Sequence, residues 1–145
     1  MRAVVQRVAR AEVHAAGEMR ARCGRGFLVL LGIAAGDGPD QAGRLAAKVA
    51  RLRVFEDDAG RFNRSLLDIA GEMLVVSQFT LIADTSKGNR PSFAAAAPPD
   101  VAEPLYQRFC DELRDLGLHV ETGMFGARME VSLVNDGPVT IILDV

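Results

Sequence analysis

Residues 27–33, Phe-Leu-Val-Leu-Leu-Gly-Ile, constrain the fold of this chain more than any other stretch. This short, wholly apolar run of β-type residues predicts a central strand. With its flanks it reaches only about half the ~20 residues needed to span a bilayer. The surrounding pattern adds strands at Ala3–Val8 and Ala11–Ala15, then a Gly17-Glu18 turn before a third strand. Gly36-Asp37-Gly38-Pro39 breaks the sheet and starts a helix striped by Ala42, Leu45, Ala46, Val49 and Leu52. Leu52–Phe55 is extended, Glu56–Gly60 is a polar turn, and Met73–Leu81 is the next clear strand. A long loop over Ala83–Asp100 leads to a second helix, striped by Val101, Leu105, Phe109, Leu113 and Leu116 and ended by Gly117. His119–Thr122, Met129–Val134 and Val139–Leu143 close the chain as three strands. Strands that come in runs predict an α+β fold with two main helices and a largely antiparallel, barrel-like sheet.

At 145 residues the chain fits one domain, 1–145, and buries roughly two-thirds of its surface without a disulfide or metal. Cys23 and Cys110 form no CxxC pair and read as small buried hydrophobes. With 49% hydrophobic and 25% charged residues, the composition excludes a disordered protein. No signal-type segment interrupts Arg2, Arg7 and Arg10, so a soluble, cytoplasmic protein with no membrane partner is expected. The net charge of −2 excludes a strongly basic nucleic-acid binder, but it is unevenly spread. Residues 1–26 carry six arginines against Glu12 and Glu18, a local +4 that leaves −6 elsewhere. Such a region can face a phosphate backbone or be a solvated strand face.

The chemistry-bearing residues are few. His14 and His119 lie far apart, with no metal-ligand spacing around them, and no phosphate-cradling glycine motif is present. Ser77 lacks the GxSxG elbow and has no recognisable base. Two stretches remain unusual. Ser77-Gln78-Phe79-Thr80-Leu81 puts polar side chains at the end of an apolar strand, where unpartnered burial costs on the order of 1–3 kcal/mol each. It reads either as a cleft or as a strand leaving the core. Asn135-Asp136-Gly137-Pro138-Val139-Thr140 reads by default as a plain hairpin turn. Its X-Pro bond is also where a cis peptide costs little.

At these two stretches the chain resembles the D-aminoacyl-tRNA deacylases, from Met1 to Val145. Met1–Val8 is similar to that family's opening strand, and Ser77–Leu81 and Val134–Thr140 to its two signature motifs. Arg90-Pro91-Ser92-Phe93 and Ser132–Asn135 also match. Arg128-Met129-Glu130 departs from the Asp-Met-Gln of many members and sets a cation beside a pocket residue, Met129.

The resemblance implies a homodimeric enzyme that hydrolyses the ester joining a D-amino acid, or glycine mischarged on tRNA-Ala, to the 3′-terminal adenosine of tRNA. It implies that Gly137 and Pro138, joined by a cis bond, act as a chirality filter in the partner subunit. Ser77, Gln78, Phe79 and Thr80 then line the ester and adenosine site, with Thr80 the side chain most often assigned to catalysis. Asn135 belongs to the filter motif. Arg7 is expected to brace the Gly-Pro loop, against the alternative of an ordinary strand arginine. No cofactor or metal is implied. Two other classes stay open: a non-catalytic RNA-binding module, and a general ester or thioester hydrolase using Ser77.

Overall fold

The computed structural model describes residues 1–145. Its sheet is built around the apolar run, which forms β3 (Gly26–Gly32). On one side β3 pairs antiparallel with β1 (Arg2–Ala15), and on the other parallel with β6 (Glu72–Ser77). The sheet continues from β6 to a parallel β7 (His119–Thr122). β1 in turn pairs antiparallel with β2 (Glu18–Cys23) and with β8 (Glu130–Asp144). The sheet is therefore mixed, and it curls into a small, nearly closed barrel in a single α+β domain. A separate two-stranded ribbon, β4 (Phe55–Glu56) with β5 (Phe62–Arg64), lies outside it.

Both faces of β3 are buried, by different partners. Phe27, Val29 and Leu31 join a 27-residue core with the helices α1 (Pro39–Ala50) and α2 (Pro99–Asp115). Leu28 points the other way, into a smaller cluster with Val8, Ala11, Val13, Ala21, Leu74 and Val76 inside the barrel. The helices start as the prolines predict, with Pro39 and Pro99 in their first turns. Gln41 Oε1 accepts a hydrogen bond from the Gly38 N–H at 2.9 Å, which satisfies one of the orphan donors at the start of α1. Tyr106 ties α2 to the sheet by donating its hydroxyl to the Val75 carbonyl at 2.8 Å.

Four expectations need correction. The strands foreseen at Ala3–Val8 and Ala11–Ala15 are one strand, β1, with irregular register against β8 between Gln6 and Arg10. That irregularity shifts the strand's phase. Ala3 and Val5 enter the helix-side core, whereas Val8, Ala11 and Val13 enter the barrel interior.

Likewise, the two strands and hairpin foreseen after Met129 are a single strand. Both halves of β8 pair with the same edge of β1: Thr140 lies opposite Gln6, and Asn135 opposite Val8. Asp136–Val139 bulge out where β1 has only Arg7, so no reversal of direction occurs. The Gly137–Pro138 bond in this bulge is cis.

The strand foreseen over Met73–Leu81 stops at Ser77, and Phe79–Leu81 form one turn of 3-10 helix. Finally, Val101 is 43% exposed, because the buried face of α2 is Ala102, Leu105, Tyr106, Phe109, Cys110 and Leu113.

Candidate active site

β6 carries the chain to Ser77, and a backbone capture turns it there. The Gln78 N–H donates to the Leu31 carbonyl at 2.8 Å, which pins the following turn against the end of β3. Gly32 makes this approach possible: a Cβ there would lie 2.9 Å from Leu81 Cβ and 3.1 Å from the Gln78 carbonyl oxygen. The turn exposes two backbone donors. Neither the Phe79 nor the Thr80 N–H has an acceptor within the chain, as expected for the first residues of a helical turn.

Beside the turn lies a cavity of about 630 Å³. Ser77, Gln78 and Phe79 form one wall, and Met129 with Phe125–Ala127 form another. Phe93 and Ala96–Pro99, from the long loop, form the third. The loop is fixed there by backbone bonds to the end of β3, including the Ala97 N–H donating to the Ile33 carbonyl at 2.9 Å. No lining residue is charged, and none is histidine. Ser77 is half-buried with no imidazole or carboxylate in its cavity. At the mouth Phe79, 55% exposed, meets Phe93 edge-on with ring centroids 5.1 Å apart. Thr80 stands just outside the lining, with its hydroxyl accepting from the Gln78 amide. His14 and His119 face Glu12 and Glu121 on the surface, and nowhere do three His, Cys, Asp or Glu side chains converge as a metal set.

The other foreseen residues form a second group, away from this cavity. Arg7, only 7% exposed, donates from Nη1 to the Val54 carbonyl at 2.7 Å and from Nε to the Asp136 carbonyl at 3.1 Å. Phe62 of the β4–β5 ribbon covers its guanidinium, 5.3 Å from ring centroid to Cζ. Asn135 Nδ2 donates to the Arg7 and Val139 carbonyls at 2.9 and 3.0 Å, closing the neck of the bulge. Gly137 and Pro138 stand exposed at its tip. Sequence reasoning missed Phe62 and the Phe125–Ala127 wall. Only Gly126, with a left-handed φ of 74°, left a turn signal there.

Residues 4–144 match the family model described as D-Tyr-tRNA(Tyr) deacylase. The chain belongs to this family. A D-aminoacyl-tRNA deacylase of Roseiflexus sp. (strain RS-1) is 62% identical over 99% of this chain and 93% of its own length. That of Thermus aquaticus is 58% identical over 99% and 95% of the two chains. A solved structure of c-Myc DNA Unwinding Element Binding Protein superposes with a TM-score of 0.94 at 45% identity, over 100% of this chain and 99% of that one. A probable eukaryotic D-amino acid tRNA deacylase, 20% identical, shares the deacylase fold with a TM-score of 0.86 over 99% and 98% of the two chains. Ser77–Leu81 and Val134–Thr140 both lie within the matched span.

Proposed function

We propose that this deacylase-family protein hydrolyses the ester between a D-amino acid and the 3′-terminal adenosine of tRNA without a side-chain nucleophile. One observation carries the proposal: two unpaired backbone N–H groups, of Phe79 and Thr80, border an uncharged cavity that contains a serine but no base. An aminoacyl ester is already activated. A positioned water and preorganised donors at the developing oxyanion therefore suffice for its hydrolysis. The cavity volume lies within the usual range for small-ligand sites, about 300–1,000 Å³, and the exposed Phe79 ring offers a stacking surface for a base. In this reading Gln78 and Thr80 orient the ester, and Met129 bounds the amino-acid end.

Selectivity is assigned to Gly137 and Pro138 of a second subunit. Their bulge is held by Arg7 and Asn135, and neither Gly137 nor Pro138 lines the cavity of its own subunit. β8, a 15-residue strand, pairs only with β1, so its outer edge is open. Val134 and Ile142 project from it to solvent, Ile142 at 63% exposure. An open edge of this kind favours association with a second copy. A filter built from backbone rejects a substrate by its side chain, so glycine passes. Glycyl-tRNA mischarged on tRNA-Ala is therefore assigned as a second substrate. Such substrates put the work of the enzyme in the cytoplasm.

A nucleic-acid-binding role without catalysis is favoured by one observation, the name of the 45%-identical relative. Presenting D-aminoacyl-tRNA and a free D-aminoacyl ester side by side, before and after dialysis against a chelator, separates the readings. The deacylase reading expects turnover of the RNA ester that survives the chelator. Binding without turnover supports the module. Efficient cleavage of free esters through a trapped acyl-Ser77 supports the general esterase.

A further inference from the structure

We propose that a second groove, next to the cavity and walled by Arg20 and Arg128, holds the phosphodiester backbone of the RNA strand whose terminal nucleoside enters the cavity. The assignment of that strand's end rests on the deacylase reading; the groove's affinity for RNA does not.

The groove, of about 620 Å³, runs between the β1–β2 turn and the segment leading into β8. It shares Ala127 and Met129 with the catalytic cavity, so the two spaces meet along one stretch of chain. Arg128, between these two residues, lines the groove and not the cavity. Across from it stand His14 and Arg20. Charge separates the two spaces clearly. The cavity lining has no charged group, whereas the groove presents two guanidiniums against the single carboxylate of Glu130.

Arg128 is exposed and has no carboxylate within ion-pair distance. Arg20 pairs only with Glu18, at 3.3 Å on the exposed start of β2, and such pairs contribute little. A nucleoside seated in the neutral cavity is joined to the rest of its RNA by a phosphodiester, the first charge met on leaving. Guanidinium forks match phosphate oxygens in a bidentate geometry, so an unpaired one, Arg128, beside a weakly paired one, Arg20, suits a phosphodiester at this exit. The platform is firm. Ala21 and Cys23 are buried in the barrel, which fixes Arg20 and Arg22 on the outer face of β2. Part of the excess positive charge of residues 1–26 is thereby collected beside the site.

The test uses a fluorescein-labelled RNA hairpin with a single-stranded 3′-ACCA tail, uncharged, titrated with the full-length protein over a range of salt concentrations. Arg128→Glu and Arg20→Glu are each expected to weaken binding about tenfold. Each lost contact should flatten the plot of log affinity against log salt by about 0.7 for a single strand. Arg128→Lys, which keeps the charge, should recover most of the affinity. Lys48→Glu, the same charge change on the exposed face of α1, should stay within about twofold of the unaltered protein. Equal weakening by Lys48→Glu and Arg128→Glu would overturn the groove. So would a loss confined to Lys87→Glu in the long loop, absence of hairpin binding by the unaltered protein, or conversion of a dimer to monomer by Arg128→Glu. Arg128-dependent binding without cleavage of D-aminoacyl-tRNA overturns the deacylase reading alone. Cleavage with Arg128-independent binding overturns the groove alone.

Discussion

Arg7 Nε lies 3.1 Å from the carbonyl oxygen of Asp136, although 128 residues separate them in the chain. The same guanidinium reaches the Val54 carbonyl, so one buried side chain joins the Asp136–Val139 bulge, β1 and the segment before β4. Lysine cannot reproduce this planar fork. Arg7→Lys should therefore leave a folded protein whose ratio of D- to L-aminoacyl-tRNA turnover falls. Arg7→Ala should in addition lose about 1.5–3 kcal/mol of stability, from hydrogen bonds made by a charged donor. Chemical denaturation and paired rate measurements check the two effects. Full discrimination in Arg7→Lys would remove the residue from the filter.

Ser77→Ala should be far milder than the loss of a nucleophile. Removing a true nucleophilic serine lowers kcat by on the order of 10⁶, whereas Ser77 shares its cavity with no base. A decrease of about tenfold or less is expected from steady-state kinetics on D-aminoacyl-tRNA.

Tyr106→Phe tests the tie between α2 and the sheet. The Val75 carbonyl also accepts from the Gly123 N–H at 3.0 Å, so removing the Tyr106 hydroxyl does not orphan it. The expected loss is the net value of one neutral hydrogen bond, about 0.5–1.5 kcal/mol, rather than the larger penalty for a stranded polar group. Urea unfolding distinguishes the two, and the catalytic rate should be unchanged.

The two thiols set a limit at high pH. Burial is the main cause that pushes Cys23 up to about 11 and Cys110 up to about 12. In the unfolded chain both ionise near pH 8.5. Above that pH the unfolded state binds fewer protons than the folded one, so stability falls as pH rises from about 8.5 towards the folded values. The fall should shrink in a Cys23→Ala, Cys110→Ala protein relative to the parent. In the folded parent at pH 8, neither thiol should react promptly with a disulfide reagent.

Much of this architecture was legible locally. The apolar run over 27–33 pointed to a central strand, found as β3, and Pro39 and Pro99 marked the helix starts. The failures share a cause in long-range pairing. Asn135–Thr140 has the chemistry of a hairpin turn, but β1 pairs with both of its flanks and makes it a bulge. Phe79-Thr80-Leu81 has strand-like propensity, but the Leu31 carbonyl and the space left by Gly32 turn the chain. At the site, the motif segments with polar or aromatic side chains were readable. The Gly126–Ala127 wall was not, because small residues carry no chemical signature until the fold brings them to a cavity.

The most direct measurement is single-turnover hydrolysis of D-tyrosyl-tRNA and L-tyrosyl-tRNA, prepared on the same tRNA and mixed with excess protein. Backbone catalysis behind a backbone filter predicts rapid release of D-tyrosine, with L-tyrosine released no faster than in buffer. Equal rates for the two esters, or no acceleration of either, would contradict the account.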